Sequence, residues 1–219
     1  MKKRTKTIIA VIAGAAILIG GIWMINESRY PNVPAFDDHF TREFLNKDKK
    51  VDDGFYEFKS KTGQYTMWFP EGYTLLNEDG DYSRDNKNFE QWGAVPSSEN
   101  HVYRGAIHIT MAKDNKKNQQ DYIESFFKDH LISKEPKLIK TSKNIIYFSS
   151  VHFEVNKDKQ VVEDSDQKPN SFYAYIMDKN SDRVVEFSFE TSGFKNQHLD
   201  EEDQTKWLMK ILKSIEFSD

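Results

Sequence analysis

Residues 8–25 read Ile-Ile-Ala-Val-Ile-Ala-Gly-Ala-Ala-Ile-Leu-Ile-Gly-Gly-Ile-Trp-Met-Ile, an uncharged run directly behind Lys2, Lys3, Arg4 and Lys6. As a helix it reaches about 27 Å at 1.5 Å per residue, close to the hydrocarbon thickness of a bilayer. Four cations on its N-terminal side hold that end in the cytoplasm. The run therefore commits the start of the chain to a membrane and leaves the remainder to fold outside it. A cleaved secretory signal has a shorter apolar core and a small-x-small cleavage site. Here the run ends in Trp23-Met24-Ile25-Asn26-Glu27 with no such triplet behind it. The expectation is an uncleaved transmembrane anchor, with Trp23 at the interface. Lipid attachment at a signal junction needs a cysteine, and the chain has none. Gly14 and Gly21 share a helix face that can pack on another helix, although glycine is common in membrane helices in any case.

The expected organisation is a basic cytoplasmic tail (1–7), the anchor (8–25), a Pro-containing tether (26–34) and one extracytoplasmic domain (35–219). The domain is long enough to bury a real core. Its large side chains come from 16 Phe, 10 Tyr and 4 Trp in the chain as a whole. Setting aside Lys2, Lys3, Arg4 and Lys6, the 31 basic residues become 27 against 35 acidic, or −8. An acidic domain repels nucleic acid, which excludes that partner class. An external domain without disulfides fits a Gram-positive surface.

Strand patterns dominate the domain. Phe36, Phe40, Phe44 and Leu45 recur at helical spacing and predict a short helix, followed by a charged turn over 47–54. Residues 55–58 and 65–69 form a hairpin around Lys61-Thr-Gly-Gln64. Residues 77–100 read as a long polar loop. The segment 102–112 alternates as a strand, and a helix follows from Asn118 with Ile123, Phe126, Phe127 and Leu131 on its apolar stripe. Strands are expected at 137–142, 145–155, 171–178 and 183–191, with a linker over 157–170. A closing helix spans 201–214 with Trp207, Leu208, Ile211, Leu212 and Ile215 inward. This order predicts α+β: an antiparallel β-sheet with helices packed on it, preceded by one N-terminal transmembrane helix.

Two segments resemble the PsbP/Mog1-like family of α-β-α sandwiches and related membrane-anchored bacterial surface domains. Gly63-Gln-Tyr-Thr-Met-Trp-Phe-Pro-Glu-Gly72 resembles the family's entry strand, which ends in Pro-x-Gly. Leu208-Met-Lys-Ile-Leu-Lys-Ser-Ile-Glu-Phe217 resembles its closing helix, which ends in Ser before a short strand. The resemblance covers 55–217 and implies binding and scaffolding rather than catalysis. It carries over no functional residue.

Three constellations carry chemistry. Asp79, Asp81, Ser83, Asp85 and Glu90 have the spacing of an EF-hand Ca²⁺ loop, but Arg84 stands where the loop needs glycine. The competing reading is a solvated acidic loop. His108, His152, Glu154 and Glu186 share the non-core parity of their strands and would approach Zn²⁺ if the strands were neighbours. Trp68, Phe148, Tyr173 and Tyr175 on that parity form an aromatic face for a partner, unless a helix covers it. Tyr82, Phe89 and Trp92 in the long loop are further contact candidates.

No Gly-x-Ser-x-Gly, Ser-x-x-Lys or phosphate-binding glycine loop is present. The expectation is a non-catalytic membrane-anchored binding or accessory protein of a bacterial envelope, immunity- or secretion-associated, with no resident cofactor. Its partners would be the bilayer through 8–25 and a protein or envelope component. The alternatives are a metal or small-ligand sensor and a surface hydrolase with an unrecognised site.

Overall fold

A computed structural model describes residues 18–19, 27–98, 103–164, 166–191 and 201–218. The expected tail (1–7) and all of the expected anchor except Leu18 and Ile19 lie outside the described residues. Among the described residues, no helix is long and apolar enough to cross a membrane.

After helical turns at Pro34–Asp37 and Thr41–Phe44 come β1 (Leu45–Asp52), β2 (Phe55–Lys59), β3 (Tyr65–Pro70), β4 (Tyr73–Leu75), β5 (Tyr82–Asp85), β6 (Phe89–Pro96) and β7 (Ala106–Lys113). Helix α1 (Gln119–Asp129) precedes β8 (Lys137–Lys140), β9 (Asn144–Val151), β10 (Phe153–Val155), β11 (Val161–Glu163), β12 (Ser171–Asp178) and β13 (Arg183–Glu190). Helix α2 (Glu201–Lys213) and β14 (Glu216–Phe217) close the chain. The main sheet is eight-stranded, in the order β4-β6-β7-β13-β12-β9-β8, with β5 also on β6. A second sheet runs β1-β2-β3-β14, and β10-β11 form a separate ribbon. Pairing is antiparallel throughout. The α+β expectation therefore holds for the domain.

Strand β12 explains the layering. From Ser171 to Met177 every residue is buried, so both faces of the sheet must be covered. Tyr173, Tyr175 and Met177 meet Ile123, Phe126 and Phe127 of α1. Phe172, Ala174 and Ile176 face a larger core with Trp207, Leu208, Ile211 and Leu212 of α2 and Phe55, Phe58, Met67 and Phe69 of the second sheet. Helix α2 carries Glu201, Glu202 and Asp203 in its first turn and Lys210 and Lys213 in its last, which matches its dipole. It ends at Ser214, whose hydroxyl donates to the Ile211 carbonyl (2.6 Å) and accepts from the Trp68 amide (2.8 Å). Strand β14 then pairs with β3, Phe217 opposite Tyr65. The helix, Ser and short-strand ending of the PsbP/Mog1-like resemblance is thus present.

Several local expectations are corrected. The helix expected over 36–45 is two short turns: the Asp38 carboxylate accepts from the Thr41 amide (2.7 Å) and hydroxyl (2.6 Å), which restarts the chain, and Leu45 already belongs to β1. The charged stretch 47–54 is mostly this edge strand; only Asp53 and Gly54, at φ +79°, turn. The polar loop 77–100 contains the β5–β6 hairpin, whose outer strand is polar because it lies at the sheet's exposed margin. The linker 157–170 likewise holds β11. The segment expected as a tether is fastened to the domain: Glu27 pairs with Arg42 (2.6 Å), whose guanidinium lies over Tyr30 at 4.6 Å.

Leu208 sits at the centre of the larger core, fully buried. Leu208→Ala should lower unfolding free energy by about 2–5 kcal/mol, whereas the exposed Lys213→Ala should stay within about 0.5 kcal/mol. Urea unfolding of both variants checks the contrast.

Candidate binding surfaces

The EF-hand spacing does not become a loop. Ser83 and Asp85 lie on β5, paired with Gln91 and Phe89 of β6, while Asp81 accepts from the Glu78 amide (3.0 Å). Glu90 points into the core and has no exposed surface. Its carboxylate accepts from the Lys61 amide (2.9 Å), the Tyr82 hydroxyl (3.0 Å) and the Thr62 hydroxyl (3.1 Å). A buried carboxylate is tolerated only with such donors, so Glu90 is a structural clamp between the β2–β3 turn and the main sheet. Burial and the Glu90 charge push the Tyr82 hydroxyl well above the usual phenol range. Pairing sets Glu90 opposite Arg84, and the alternation of the strand turns its carboxylate inward while Ser83 and Asp85 stay exposed, so these residues are not gathered around one point.

The His/Glu set also disperses. His108 and Glu186 share a face of neighbouring strands, with His108 opposite Ser188 and Glu186 opposite Thr110. His152 lies past the end of β9 with Nδ1 2.7 Å from the Lys168 carbonyl, and Glu154 is exposed on the β10–β11 ribbon. The chain leaves the main sheet between Val151 and Phe153, so parity no longer aligns them. Among the described residues, no group of three His, Cys, Asp or Glu side chains is placed to hold a metal ion. Glu186 instead faces Asp114 and Asp129; burial, with these two charges, raises its pKa above the ordinary 4.5.

The aromatic set divides by face. Tyr173 and Tyr175 are buried beneath α1, and Phe148, opposite Ala174, belongs to the other core. Trp92 is buried between the sheets, donating Nε1–H to the Tyr65 hydroxyl (2.7 Å). Tyr82 packs edge-on against Phe40 and Phe44, and Phe89 is half-buried at the start of β6. The single exposed aromatic face therefore does not form.

Trp68 stays half-exposed on β3. It stands in an open groove of about 930 Å³ along α2, with Thr205, Met209, Lys210, Lys213 and Ser214 among the described lining. Trp68 and Met209 are its apolar side chains, among the stems of Lys206, Lys210 and Lys213 and with Glu201 and Glu202 at the helix start. The sequence signal for it is Met209, an apolar residue off the core stripe of α2. A second groove, of about 560 Å³, lies between α1 and β8. A polar recess of about 240 Å³ holds Ser150, His152, Glu163 and Asp164. These are hydrolase residue types, but His152 Nδ1 faces a carbonyl and Glu163 accepts from Ser133 (2.9 Å). Among the described residues the recess does not assemble a nucleophile–base–carboxylate relay.

A carboxyl whose pKa is raised by folding holds its proton more tightly folded than unfolded, so its ionisation costs stability above the raised value and nothing below the unfolded one. Glu186→Gln should therefore stabilise the domain at neutral pH. The gain should shrink as pH falls through the raised value and vanish below the ordinary 4.5. Thermal unfolding across pH 4–8 checks this.

The model of the family described as "Putative lipoprotein YvcA" (YvcA_Mog1p) matches residues 31–216. A Bacillus subtilis (strain 168) protein named "Putative lipoprotein YvcA" is 30% identical over 199 residues, covering 85% of this chain and 78% of its own. A crystal structure from Bacteroides thetaiotaomicron is 13% identical with a TM-score of 0.42, covering 74% of this chain and 48% of that one. This chain thus spans about half of that structure's length, and the likeness is too loose to bear on fold or function.

Proposed function

The chain belongs to the family described as "Putative lipoprotein YvcA", and from that premise we propose that it is a membrane-held, extracytoplasmic, non-catalytic binding protein of a Gram-positive envelope. A lipoprotein is held at the membrane by an acylated cysteine. The 219 residues contain no cysteine, so in this chain the apolar run 8–25 takes that role, with Lys2, Lys3, Arg4 and Lys6 keeping the N-terminus inside. Tethering keeps a binder concentrated beside membrane partners. An immunity or secretion-accessory role fits this arrangement.

The observation that carries the binding reading is Trp68, half-exposed in the open α2 groove. A rigid aromatic on a strand beside a methionine buries much area at little entropic cost, the usual make-up of an interface hot spot.

The absence of native cysteine makes topology directly measurable. Lys157→Cys should react with a membrane-impermeant maleimide on intact cells, and Lys3→Cys only after permeabilisation. Metabolic palmitate should not label the chain. Labelling of Lys3→Cys on intact cells would reverse the orientation. A photo-crosslinker at Met209 should capture a discrete membrane or envelope partner, and Trp68→Ala should weaken that complex about tenfold or more; capture unaffected by Trp68→Ala would remove the groove from the reading.

A further inference from the structure

Strand β8 is the last strand of the main sheet on its side, paired only with β9 among the described residues. Half of the backbone donors and acceptors of such an edge point away from the sheet and can template another strand. Edges of this kind are commonly blunted by charge, and Lys137 and Lys140 flank this one. Between them, however, Leu138 is 48% exposed. It borders the groove between α1 and β8, whose floor is apolar: Ile123, Phe127, Ile132 and Tyr147. An edge meant only to repel would not set an apolar side chain beside an apolar trough.

Charge selects the occupant. Lys128 and Lys134 line the groove, Lys140 shares the Leu138 face of β8 and Lys137 lies on the strand's other face; among the described residues none of them makes an ion pair. The local acidic residues are Glu124 and Glu135. This basic margin sits on a domain that is acidic overall. A second copy is a poor fit: a two-fold antiparallel pairing of β8 with itself centres on Leu138 or Ile139, which makes Lys137 of each copy, or Lys140 of each copy, diagonal neighbours of like charge within reach of one another. A strand alternating acidic and apolar residues fits this edge. Its backbone completes the ladder, its apolar side chains enter the trough, its carboxylates on the opposite parity meet Lys137, and acidic residues at its ends reach Lys128, Lys134 or Lys140.

We propose that the β8 edge is a docking site for an extended acidic segment of a protein partner, bound by strand addition with its apolar side chains in the α1–β8 groove. This rests on the reading of the domain as a binder but uses a different surface from the Trp68 groove.

The test uses the full-length chain in nanodiscs of zwitterionic lipid. The probes are an octapeptide alternating Glu with Val, its Lys-for-Glu counterpart, a version N-methylated at alternate residues, and polyglutamate. Fluorescence anisotropy should show binding of the acidic octapeptide alone, with slowed amide hydrogen exchange at residues 137–140. The double variant Lys137→Glu with Lys140→Glu should bind the acidic peptide about tenfold or more weakly and gain affinity for the basic one. That exchange of preference also certifies that the variant is folded. Leu138→Ser should weaken binding without changing charge preference, and Trp68→Ala should leave it intact. Equal binding of the N-methylated peptide or polyglutamate would reduce the site to bare charge and overturn strand addition. No binding of the acidic octapeptide, or a concentration-dependent dimer abolished by the double variant, would overturn the proposal. Met209 crosslinking with Trp68 dependence would survive either result, so the two readings fail separately.

Discussion

Burial of both faces of β12 is the constraint on which the architecture depends. A strand with aromatic or aliphatic side chains on each parity, Phe172 and Ile176 on one and Tyr173, Tyr175 and Met177 on the other, cannot lie at a solvated surface. One face recruits α1. The other needs more area than a single helix covers, and α2 is joined there by the second sheet. The hydrophobic driving force is proportional to the area removed from water, so the layers follow from this demand on both sides of one strand.

The seam between the two sheets is closed by polar groups with few alternatives. Glu90 gathers the Lys61 amide, Thr62 and Tyr82. Arg183 on β13 donates through Nε to Gln64 (2.9 Å) and through Nη1 to the Ser218 carbonyl. Asn144 on β9 donates to the Ile215 carbonyl (2.6 Å). Apart from the Tyr82 bond, which lies within the β5–β6 hairpin, each joins residues far apart in the chain and orients one layer on the other. An unmade bond at such a buried site would cost the full desolvation of the group left behind. Two of the chemically attractive residues are engaged in the same way: Glu90 in this seam, and His152 through Nδ1 at the Lys168 carbonyl.

The elements whose periodicity matched their environment were legible beforehand. The β2–β3 hairpin, β13, α1 and α2 each carry an apolar stripe at the period of their secondary structure, and β12 is apolar on both parities as a doubly covered strand must be. The Glu90 clamp was legible only as a carboxylate: its alternation with Trp92 and Ala94 marks a core-facing strand, but the acidic neighbours 79–85 read as a loop. Edge strands were missed for the opposite reason. Strands β1 and β5 carry charged and polar side chains because they lie at sheet margins, and such sequences look like turns until pairing partners are known. The supposed His/Glu face shows how far parity reasoning extends: it places His108 and Glu186 on one face, and it loses His152 and Glu154 where the chain departs from the sheet after Val151.

By itself the sequence determined the α+β class, the stripes of the two packing helices, the register parity of the long central strands and the lack of a cysteine for acylation, because each depends on residue type and local spacing. Only the tertiary structure decided which candidate residues meet. Strand order brings Glu90 under Tyr82, α1 over Tyr173 and Tyr175, and Leu138 to the margin of the sheet. Those outcomes depend on long-range pairing, and local spacing carries no information about which distant strand becomes a neighbour.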